Sequence, residues 1–428
     1  MHLPQMFRLA QHFASQKITD INHATRVALQ TLPLSTQIQQ GDRVAVAVGS
    51  RGIAHHRAIL QTLLEHLIGL GAQPFIVPAM GSHGGATSEG QRQILADFGI
   101  TEAAMGVPIK ATMAVQYLGE TALGMPVYCD EYAAAADKIV LLNRIKPHTR
   151  FIGSIESGLL KMLAIGLGKQ IGAEVYHKYF TKYAFEQIVR DVYEIARQRL
   201  PLSFGVAIIE NGYGETAEIH GIAAHQWLTQ EPILLQKAKS WCPRLPFDYI
   251  DLLIIDEIGK NISGAGMDTN VTGLKKIFCH ELTALPPFIQ KVFVRELSPH
   301  SQGNAMGIGL ADLTTQRLVD QIDFAKTYAN AITAQNLHGA KIPMHLPQDR
   351  TAITVAMNLL GLRTPADARI LWIRNTLELG QVEASLAYYK EAKHRPDLTV
   401  LTAPRAISYD DAGNLPPLTD LSLISAHS

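Results

Sequence analysis

The chain has 428 residues, which is too long for one compact core and predicts two or three domains. Hydrophobic residues make up 47% and charged residues 18%, a composition typical of a packed globular protein rather than a disordered one. Lys and Arg together number 38, as do Asp and Glu, so no overall charge attracts the chain to nucleic acid or to an anionic membrane. We therefore expect neither as a partner.

The three cysteines, Cys129, Cys242 and Cys279, lie far apart and form no C-x-x-C pair. This spacing indicates neither a structural zinc site nor a redox dithiol, and the low count favours a reducing, cytoplasmic setting. Residues 1–15 lack the apolar run of a secretory signal, and the most apolar stretches are far shorter than a membrane span. A cytoplasmic protein is expected.

Predicted strands and helices alternate through the first half, which indicates a parallel sheet built from βαβ units. The strands are predicted at 43–48, 74–78, 138–143 and 204–209, and the helices at 55–70, 88–98, 156–167, 172–180, 183–199 and 225–240. Thr87 or Ser88 is the expected cap of the second helix.

The second half repeats this alternation after Pro243 and Pro246, two prolines that end the last helix. Strands are expected at 252–255, 290–294 and 370–373, and helices at 315–334 and 347–359. We predict a fold of two α/β domains with parallel-type sheets and an active-site cleft between them. The domains are residues 1–245, for cofactor binding and catalysis, and 246–400, with a tail at 401–428 that packs back on the body.

Two histidines each follow a predicted buried strand. His83 comes after the strand at 74–78, and His148 comes after the strand at 138–143. Ligands of open parallel sheets bind outside the carboxyl ends of the strands, and histidine acts as an acid or a base near pH 7. Two such groups facing one carbon suggest a reaction that works from both faces, such as racemisation or epimerisation.

The glycine-rich loop 81–87 and the turn at Ser50 and Arg51 are candidate anion sites. Gly81 and Gly84 either let backbone N–H groups approach a phosphate or only permit a tight turn, and the residues leave both interpretations open. The loop is neither a Walker A motif nor a dinucleotide fingerprint. Arg51 is suited to a phosphate or carboxylate, although a surface arginine is the simpler interpretation.

Lys161 and His177 are ambiguous when taken alone. Lys161 interrupts an apolar helical run, where a lysine is usually solvated, but desolvation would lower its pKa and make it a nucleophile or tether. His177 by itself is more often a surface or core histidine than a metal ligand.

Three segments taken together resemble the nickel-dependent lactate racemase family, in the branch whose members have unknown or varied substrates. The segments are Pro-Ala-Met-Gly-Ser-His-Gly-Gly-Ala-Thr at 78–87, Asn-Arg-Ile-Lys-Pro-His-Thr at 143–149 and Glu-Ser-Gly-Leu-Leu-Lys-Met-Leu at 156–163. The resemblance covers most of the first predicted domain and extends more weakly into the second. Each motif is modest alone, but their order and spacing are specific.

The resemblance implies a nickel-pincer nucleotide cofactor bound covalently to a lysine, which Lys161 matches. It implies that His177, sixteen residues further on, completes the nickel shell, and that His83 and His148 are the two acid/base groups. Ser50 and Arg51 match a segment that contacts the cofactor phosphate, and Gly81, Gly84 and Lys146 complete the expected cofactor-binding set. The implied reaction is Cα hydride transfer in a 2-hydroxy acid, with proton transfer by the protein.

Two departures set this chain apart from lactate-specific members. Lys161 follows His148 by thirteen residues, a few more than in those members. Their Tyr-Gln-x-x-Lys element is also absent from the second domain, where Lys260 becomes the candidate for the substrate carboxylate and Asn261 or Asn270 for extra hydroxyls. A larger or more polar substrate than lactate, such as a sugar acid, is therefore expected.

Two other functions stay open. A non-catalytic nucleotide- or cofactor-binding protein would need the loop, Arg51 and Lys161 but not the histidines. A metal-dependent hydrolase would need three protein ligands around a bare ion, and no H-E-x-x-H or paired-carboxylate pattern is present. The expected partners are a small 2-hydroxy acid and the cofactor-maturation proteins, and the sequence leaves a homo-oligomer open.

Overall fold

The computed structural model describes residues 3–275, 286–361 and 364–419, so Cys279 lies outside the described residues. These residues form two compact units. The N-terminal unit is Ala14–Cys242. The C-terminal unit contains residues 3–13 and the described residues from 243 onward.

The chain begins with β1 (Met6–Gln11), a strand of the C-terminal unit, and then enters the N-terminal unit. The strands of the N-terminal unit are β2 (Arg43–Val48), β3 (Gln73–Pro78), β4 (Val115–Glu120), β5 (Pro126–Asp130), β6 (Lys138–Arg144), β7 (Leu202–Glu210) and β8 (Thr216–Ala223). Its helices are α1 (Ile21–Gln30), α2 (Leu34–Gln37), α3 (His56–Gly69), α4 (Ser88–Asp97), α5 (Glu102–Met105), α6 (Glu131–Ala134), α7 (Leu159–Lys161), α8 (Lys169–Tyr179), α9 (Phe185–Arg199) and α10 (Trp227–Trp241).

Five strands form the main sheet of this unit, in the order β3-β2-β6-β7-β8. The first four are parallel, and β8 returns antiparallel to β7. The chain leaves β2 for β3 on one side and later crosses to β6 on the other side. The carboxyl ends of β2 and β6 therefore flank a point where the strand order reverses, the usual place for a ligand in an open α/β sheet.

Both faces of this sheet are covered. Along β2, Val44, Val46 and Val48 pack into one core, while Ala45 and Ala47 pack into another on the opposite face. Helices α3 and α4 contribute to the first core, and α7, α9 and α10 contribute to the second. A strand with both faces buried is the expected consequence of an uninterrupted apolar sequence.

The C-terminal unit holds an eight-stranded mixed sheet, in the order β12-β11-β10-β9-β13-β14-β1-β15. Its other strands are β9 (Tyr249–Ile258), β10 (Phe288–Leu297), β11 (Leu313–Thr315), β12 (Met344–Leu346), β13 (Ile370–Ile373), β14 (Gln381–Ser385) and β15 (Leu398–Val400). Its helices are α11 (Thr269–Thr272), α12 (Gln316–Asp320), α13 (Phe324–Thr333), α14 (Asp349–Asn358) and α15 (Tyr389–His394). The strands from β12 to β13 are parallel, and the others are antiparallel.

The predicted α/β class is confirmed, with three local differences. β1 pairs with β14 and β15, so the first residues belong to the C-terminal unit and not to the predicted domain 1–245. The helix expected at 315–334 is two helices, because Asp323 caps a new N-terminus by accepting from the Lys326 N–H. The antiparallel strands β1, β8, β14 and β15 were not predicted.

The described part of the tail packs on the C-terminal unit. Leu415 and Leu418 are buried in its core. The guanidinium of Arg295 donates to the carbonyl of Leu415, and the Leu418 N–H donates to Asp256. Across the described residues of both units, no helix combines the length and the apolar character that a membrane crossing requires.

Candidate functional site

The carboxyl ends of three adjacent strands carry most of the predicted site residues. Ser50 and Arg51 follow β2, the strand in the middle. His83 follows β3 on one side, and Lys146 and His148 follow β6 on the other. The topology therefore brings these five residues to one edge of the N-terminal unit.

His83 is connected directly to the turn after β2. Its Nδ1 forms a hydrogen bond with the hydroxyl of Ser50. The His83 side chain is exposed at the surface of the unit, so a ligand can reach it. Ser50 and His83, which lie 33 positions apart in the sequence, are thus joined by a direct hydrogen bond.

The loop after β3 needs its glycines for packing. Gly84 has a φ of +68°, and a Cβ placed there would lie 2.6 Å from the backbone of Gly90 in α4. Thr87 caps α4 as predicted, accepting from the Gly90 N–H at 3.0 Å. The tight-turn interpretation therefore accounts for Gly84 without a ligand.

The amides of this loop are mostly occupied by the protein itself. The N–H of Gly81 donates to the carbonyl of Gly166, that of His83 to Met80, and that of Ala86 to Ser82. These three N–H groups do not point toward an external phosphate. The expectation that the loop forms a phosphate cradle is therefore weakened, and an anion has to be bound mainly by side chains.

The loop that carries His148 is closed at its base and braced from inside. The backbones of Lys146 and Ser157 exchange two hydrogen bonds, at 3.0 and 3.2 Å. The fully buried Glu156 accepts from the His148 N–H at 2.6 Å and forms an ion pair with Lys239 at 2.6 Å. A buried, paired carboxylate of this kind fixes the loop from residue 146 to 157.

The ring of His148 is held in one orientation. Its Nδ1 accepts N–H bonds from the backbone of Arg150 at 3.0 Å and of Phe151 at 3.3 Å. The ring also stacks on Phe151, with centroids 4.7 Å apart, and faces Phe185 at 6.1 Å. Because Nδ1 accepts, this hydrogen-bond pattern assigns the ring proton to Nε2.

Lys161 lies in a short helical turn and not in the long helix predicted at 156–167. The turn α7 runs straight into a π-helical turn at Met162–Gly166, a form common at functional sites. Its start is buried against Glu231 of α10, whose Oε2 accepts from the Leu160 N–H at 3.0 Å. Only glycine fits at position 158, because a Cβ there would lie 2.3 Å from Glu231 Oε1.

The amine of Lys161 is placed among positive charges. Burial is the main cause that lowers the pKa of Lys161 from 10.5 to about 7. Three nearby cations, Arg51, Lys146 and Arg150, lower this pKa further. The residue is still partly exposed, so Lys161 combines an amine that is about half neutral at pH 7 with access from outside.

His177 belongs to the same electrostatic neighbourhood. Burial lowers the pKa of His177 to about 4, and the charges of Arg150 and Lys161 act in the same direction. The ring packs edge-on against Phe180 at 5.4 Å. The imidazole is therefore neutral at pH 7, the form in which histidine binds a metal.

The predicted substrate residues lie in the C-terminal unit. Lys260 follows β9, and its ammonium donates to the carbonyl of Gly264 at 2.7 Å and to the side chain of Asn330 at 2.8 Å. Asn261 is exposed in the same turn. Asn270 is used locally, because its amide donates to Asp268 at 2.8 Å. The ammonium of Lys260 is thus already engaged inside the unit.

Sequence reasoning missed Arg150, Glu156 and Glu231. Arg150 was visible as a third basic residue close to Lys146 and His148, and the run Arg144-Ile-Lys-Pro-His-Thr-Arg150 could have suggested an anion site. Glu156 was counted only as part of a motif. Glu231 gave no signal, because a glutamate in a polar helical segment is ordinarily solvated.

This edge of the N-terminal α/β unit carries several cations, a lysine whose pKa is lowered and two strand-end histidines. Residues 6–184 match the model of the lactate racemase N-terminal domain family. Among curated proteins, none matches the chain significantly.

The lactate racemase apoprotein from Thermoanaerobacterium thermosaccharolyticum is among the solved structures that the chain resembles. The two share 12% sequence identity, with a TM-score of 0.48. The match covers 77% of this chain and 92% of the racemase chain.

The Glu231 carboxyl predicts a pH dependence of stability. Burial raises the pKa of Glu231 from 4.5 to about 7. Between these values the folded unit binds a proton that the unfolded chain releases, so the free energy of unfolding decreases as the pH rises from about 5 to 7. Replacing Glu231 by Gln removes this dependence, so the variant gains about 3 kcal/mol relative to wild type across that window.

Urea unfolding followed by circular dichroism at pH 5, 6, 7 and 8 measures this difference. Glu194→Gln, on the exposed side of α9, is the matched control and should keep the wild-type slope. Equal slopes for wild type and Glu231→Gln would show that Glu231 is not protonated in the folded protein.

Proposed function

We propose that this protein is a racemase or epimerase of a 2-hydroxy acid that works with a nickel-pincer nucleotide attached to Lys161. The coarser statement, that the protein is of the lactate racemase type, rests on the family match. The observation that supports the finer proposal best is the Lys161 amine, whose pKa is lowered to about 7 among Arg51, Lys146 and Arg150.

The residues fit such a cofactor in three respects. A lysine with a pKa of about 7 is a competent nucleophile for covalent attachment at neutral pH. The three cations beside it suit a nucleotide phosphate, and Arg51 can bind one with two parallel hydrogen bonds. The neutral His177 supplies one nitrogen ligand, and nickel accepts nitrogen together with soft donors from the cofactor.

A cofactor held at Lys161 would supply the acceptor for the Cα hydride of the substrate. The protein then has to bind the acid, orient it and move the hydroxyl proton. His83 is suited to the base role in the tautomer whose Nδ1–H donates to the Ser50 hydroxyl, because that tautomer carries its lone pair on Nε2. Residues at the carboxyl ends of β3 and β6 can approach a planar 2-oxo acid from two sides.

His148 serves as a hydrogen-bond donor in the conformation observed. Its Nδ1 accepts two backbone N–H groups, so its neutral ring presents N–H at Nε2. Transfer of a proton through Nε2 requires a proton on Nδ1 at one stage. The N–H groups of Arg150 and Phe151 must then turn away, and a small movement of this loop is part of the proposed cycle.

A metal-dependent hydrolase finds less support. Within the ranges that the structure describes, no three side chains of His, Cys, Asp or Glu are grouped so as to hold a metal ion. A bare catalytic ion normally takes three protein ligands, whereas a pincer cofactor needs only one. The roles of Lys260 for the substrate carboxylate and of Asn261 for a further hydroxyl stay predictions.

Covalent loading is the first test. Protein produced together with the cofactor-maturation proteins should gain a mass adduct that maps to Lys161, with about one nickel per chain, as covalent attachment of one metal-holding cofactor requires. Lys161→Arg should gain neither. Unmodified Lys161 and no nickel, under conditions that load an established racemase, would contradict the proposal and favour a cofactor-binding protein without catalysis.

The histidines supply the second test. In loaded protein, His83→Ala and His148→Ala should each lower the rate of racemisation by roughly 10²–10⁴-fold, the usual contribution of an acid/base group. Chiral chromatography of a panel of 2-hydroxy acids measures this rate. His225→Ala, an exposed histidine of the same unit, is the control. Full activity in both variants, with the adduct intact, would exclude the proposed mechanism.

A further inference from the structure

A fully buried ionic cluster lies against the loop that carries His83. It contains Lys169 at the start of α8, Asp130 at the end of β5 and Gln91 in α4. The Lys169 ammonium forms an ion pair with Asp130 at 3.1 Å and donates to the Gln91 side-chain oxygen at 2.9 Å. None of these residues was singled out from the sequence.

The donors of this cluster are aimed at the loop that carries His83. Lys169 donates to the carbonyl of Pro78, the last residue of β3, at 2.5 Å. The Gln91 amide donates to the carbonyls of Gly81 at 2.9 Å and His83 at 3.3 Å. Three carbonyls within six residues of the loop are therefore bound by two buried side chains.

The same cluster reaches the segment that carries Lys161. The Asp130 N–H donates to the carbonyl of Leu167 at 2.6 Å, and the Gly81 N–H donates to Gly166 at 3.1 Å. Leu167 and Gly166 end the π-helical turn that begins one residue after Lys161. The His83 loop and the Lys161 turn are thus joined through one connected set of hydrogen bonds.

This arrangement has an energetic cost that packing alone does not explain. Lys169 has a φ of +53°, a left-handed conformation that is unfavourable for any residue with a Cβ. Burying a lysine, an aspartate and an amide is also costly, and apolar residues often replace such groups without loss of stability. What apolar residues cannot do is hold the Pro78, Gly81 and His83 carbonyls in one position.

We infer that Lys169, Gln91 and Asp130 are positioning residues, which hold His83 in a fixed position relative to Lys161. The inference rests on the proposed function for the chemistry of His83, but the positioning itself is a property of the chain without cofactor. Of the three residues, Gln91 is the one that contacts both the Lys169 ammonium and the Gly81 and His83 carbonyls. Its amide is therefore the group to test first.

Gln91→Glu isolates that contact in the full-length chain. Glutamate keeps the length of the side chain and an acceptor for Lys169, but it cannot donate to Gly81 and His83. Gln91→Met removes the same donations without adding a buried charge. Gln93→Glu is the matched control, since Gln93 is exposed on the same helix and bonds only Asp97 among the contacts described.

Amide hydrogen exchange measures directly how firmly the backbone of the His83 loop is held. In both Gln91 variants, the amides of Gly81, His83 and Ala86 should exchange roughly tenfold faster, while those of α9 keep the wild-type rate. Unchanged exchange in the loop would overturn the inference. Equal acceleration in the loop and in α9 would also overturn it, because it would show general destabilisation.

Kinetics of the loaded enzyme separate this inference from the proposed function. If the protein is a racemase, both Gln91 variants should lower kcat by roughly tenfold, with KM changed less than about threefold, as expected for a misplaced acid/base group. A rise in KM with kcat intact would overturn the inference. Absence of turnover in wild type would contradict the proposed function, whereas the exchange rates would still decide the positioning role.

Discussion

The chemistry proposed for the N-terminal unit depends on lowering the pKa of one lysine to about 7, so that roughly half of the amine is uncharged at neutral pH. The protein does this by burying Lys161 in a short turn and surrounding it with Arg51, Lys146 and Arg150. The same cations that disfavour an ammonium ion favour a bound phosphate. The same group of cations therefore both lowers the pKa of the Lys161 amine and provides a binding site for an anion.

The surrounding structure maintains this arrangement. Arg51 follows β2, while Lys146 and Arg150 follow β6, so the strand order brings the cations together at the reversal point of the sheet. The buried carboxyl of Glu231 holds the start of the Lys161 turn, and that of Glu156 holds the loop between Lys146 and Ser157. Both carboxyls accept hydrogen bonds from backbone N–H groups, and these bonds hold the backbone of the two segments in place.

Continuous apolar runs were sufficient to predict the strands that build this edge. β2, β3 and β6 are continuous apolar runs, and their ends place Ser50, His83 and His148 where the structure has them. The sequence did not predict which strands pair with one another across the C-terminal sheet. β1 joins strands nearly 400 residues away, and no local pattern indicates such a partner.

The site was predictable only in part, because burial decides the role of a polar residue. Lys169 and Glu231 occupy helical segments whose sequence indicates solvated faces, yet both are fully buried in the structure. The glycines of the His83 loop show the reverse error, in which a sequence pattern suggests a ligand that the structure does not require. Their pattern suggested a ligand, whereas close packing against α4 already explains Gly84. The cleft between the two domains and the role of Lys260 stay predictions.

The protonation of Lys161 tests the central claim most directly, and it can be measured without cofactor or substrate. The chain produced without maturation proteins would be treated with an amine-acylating reagent between pH 6 and 10, with modification of each lysine followed by peptide mass spectrometry. We expect the rate at Lys161 to reach half its maximum near pH 7 and to shift upward in Arg51→Gln. A half-maximum no lower than about 10, the ordinary value for a lysine, would contradict the account.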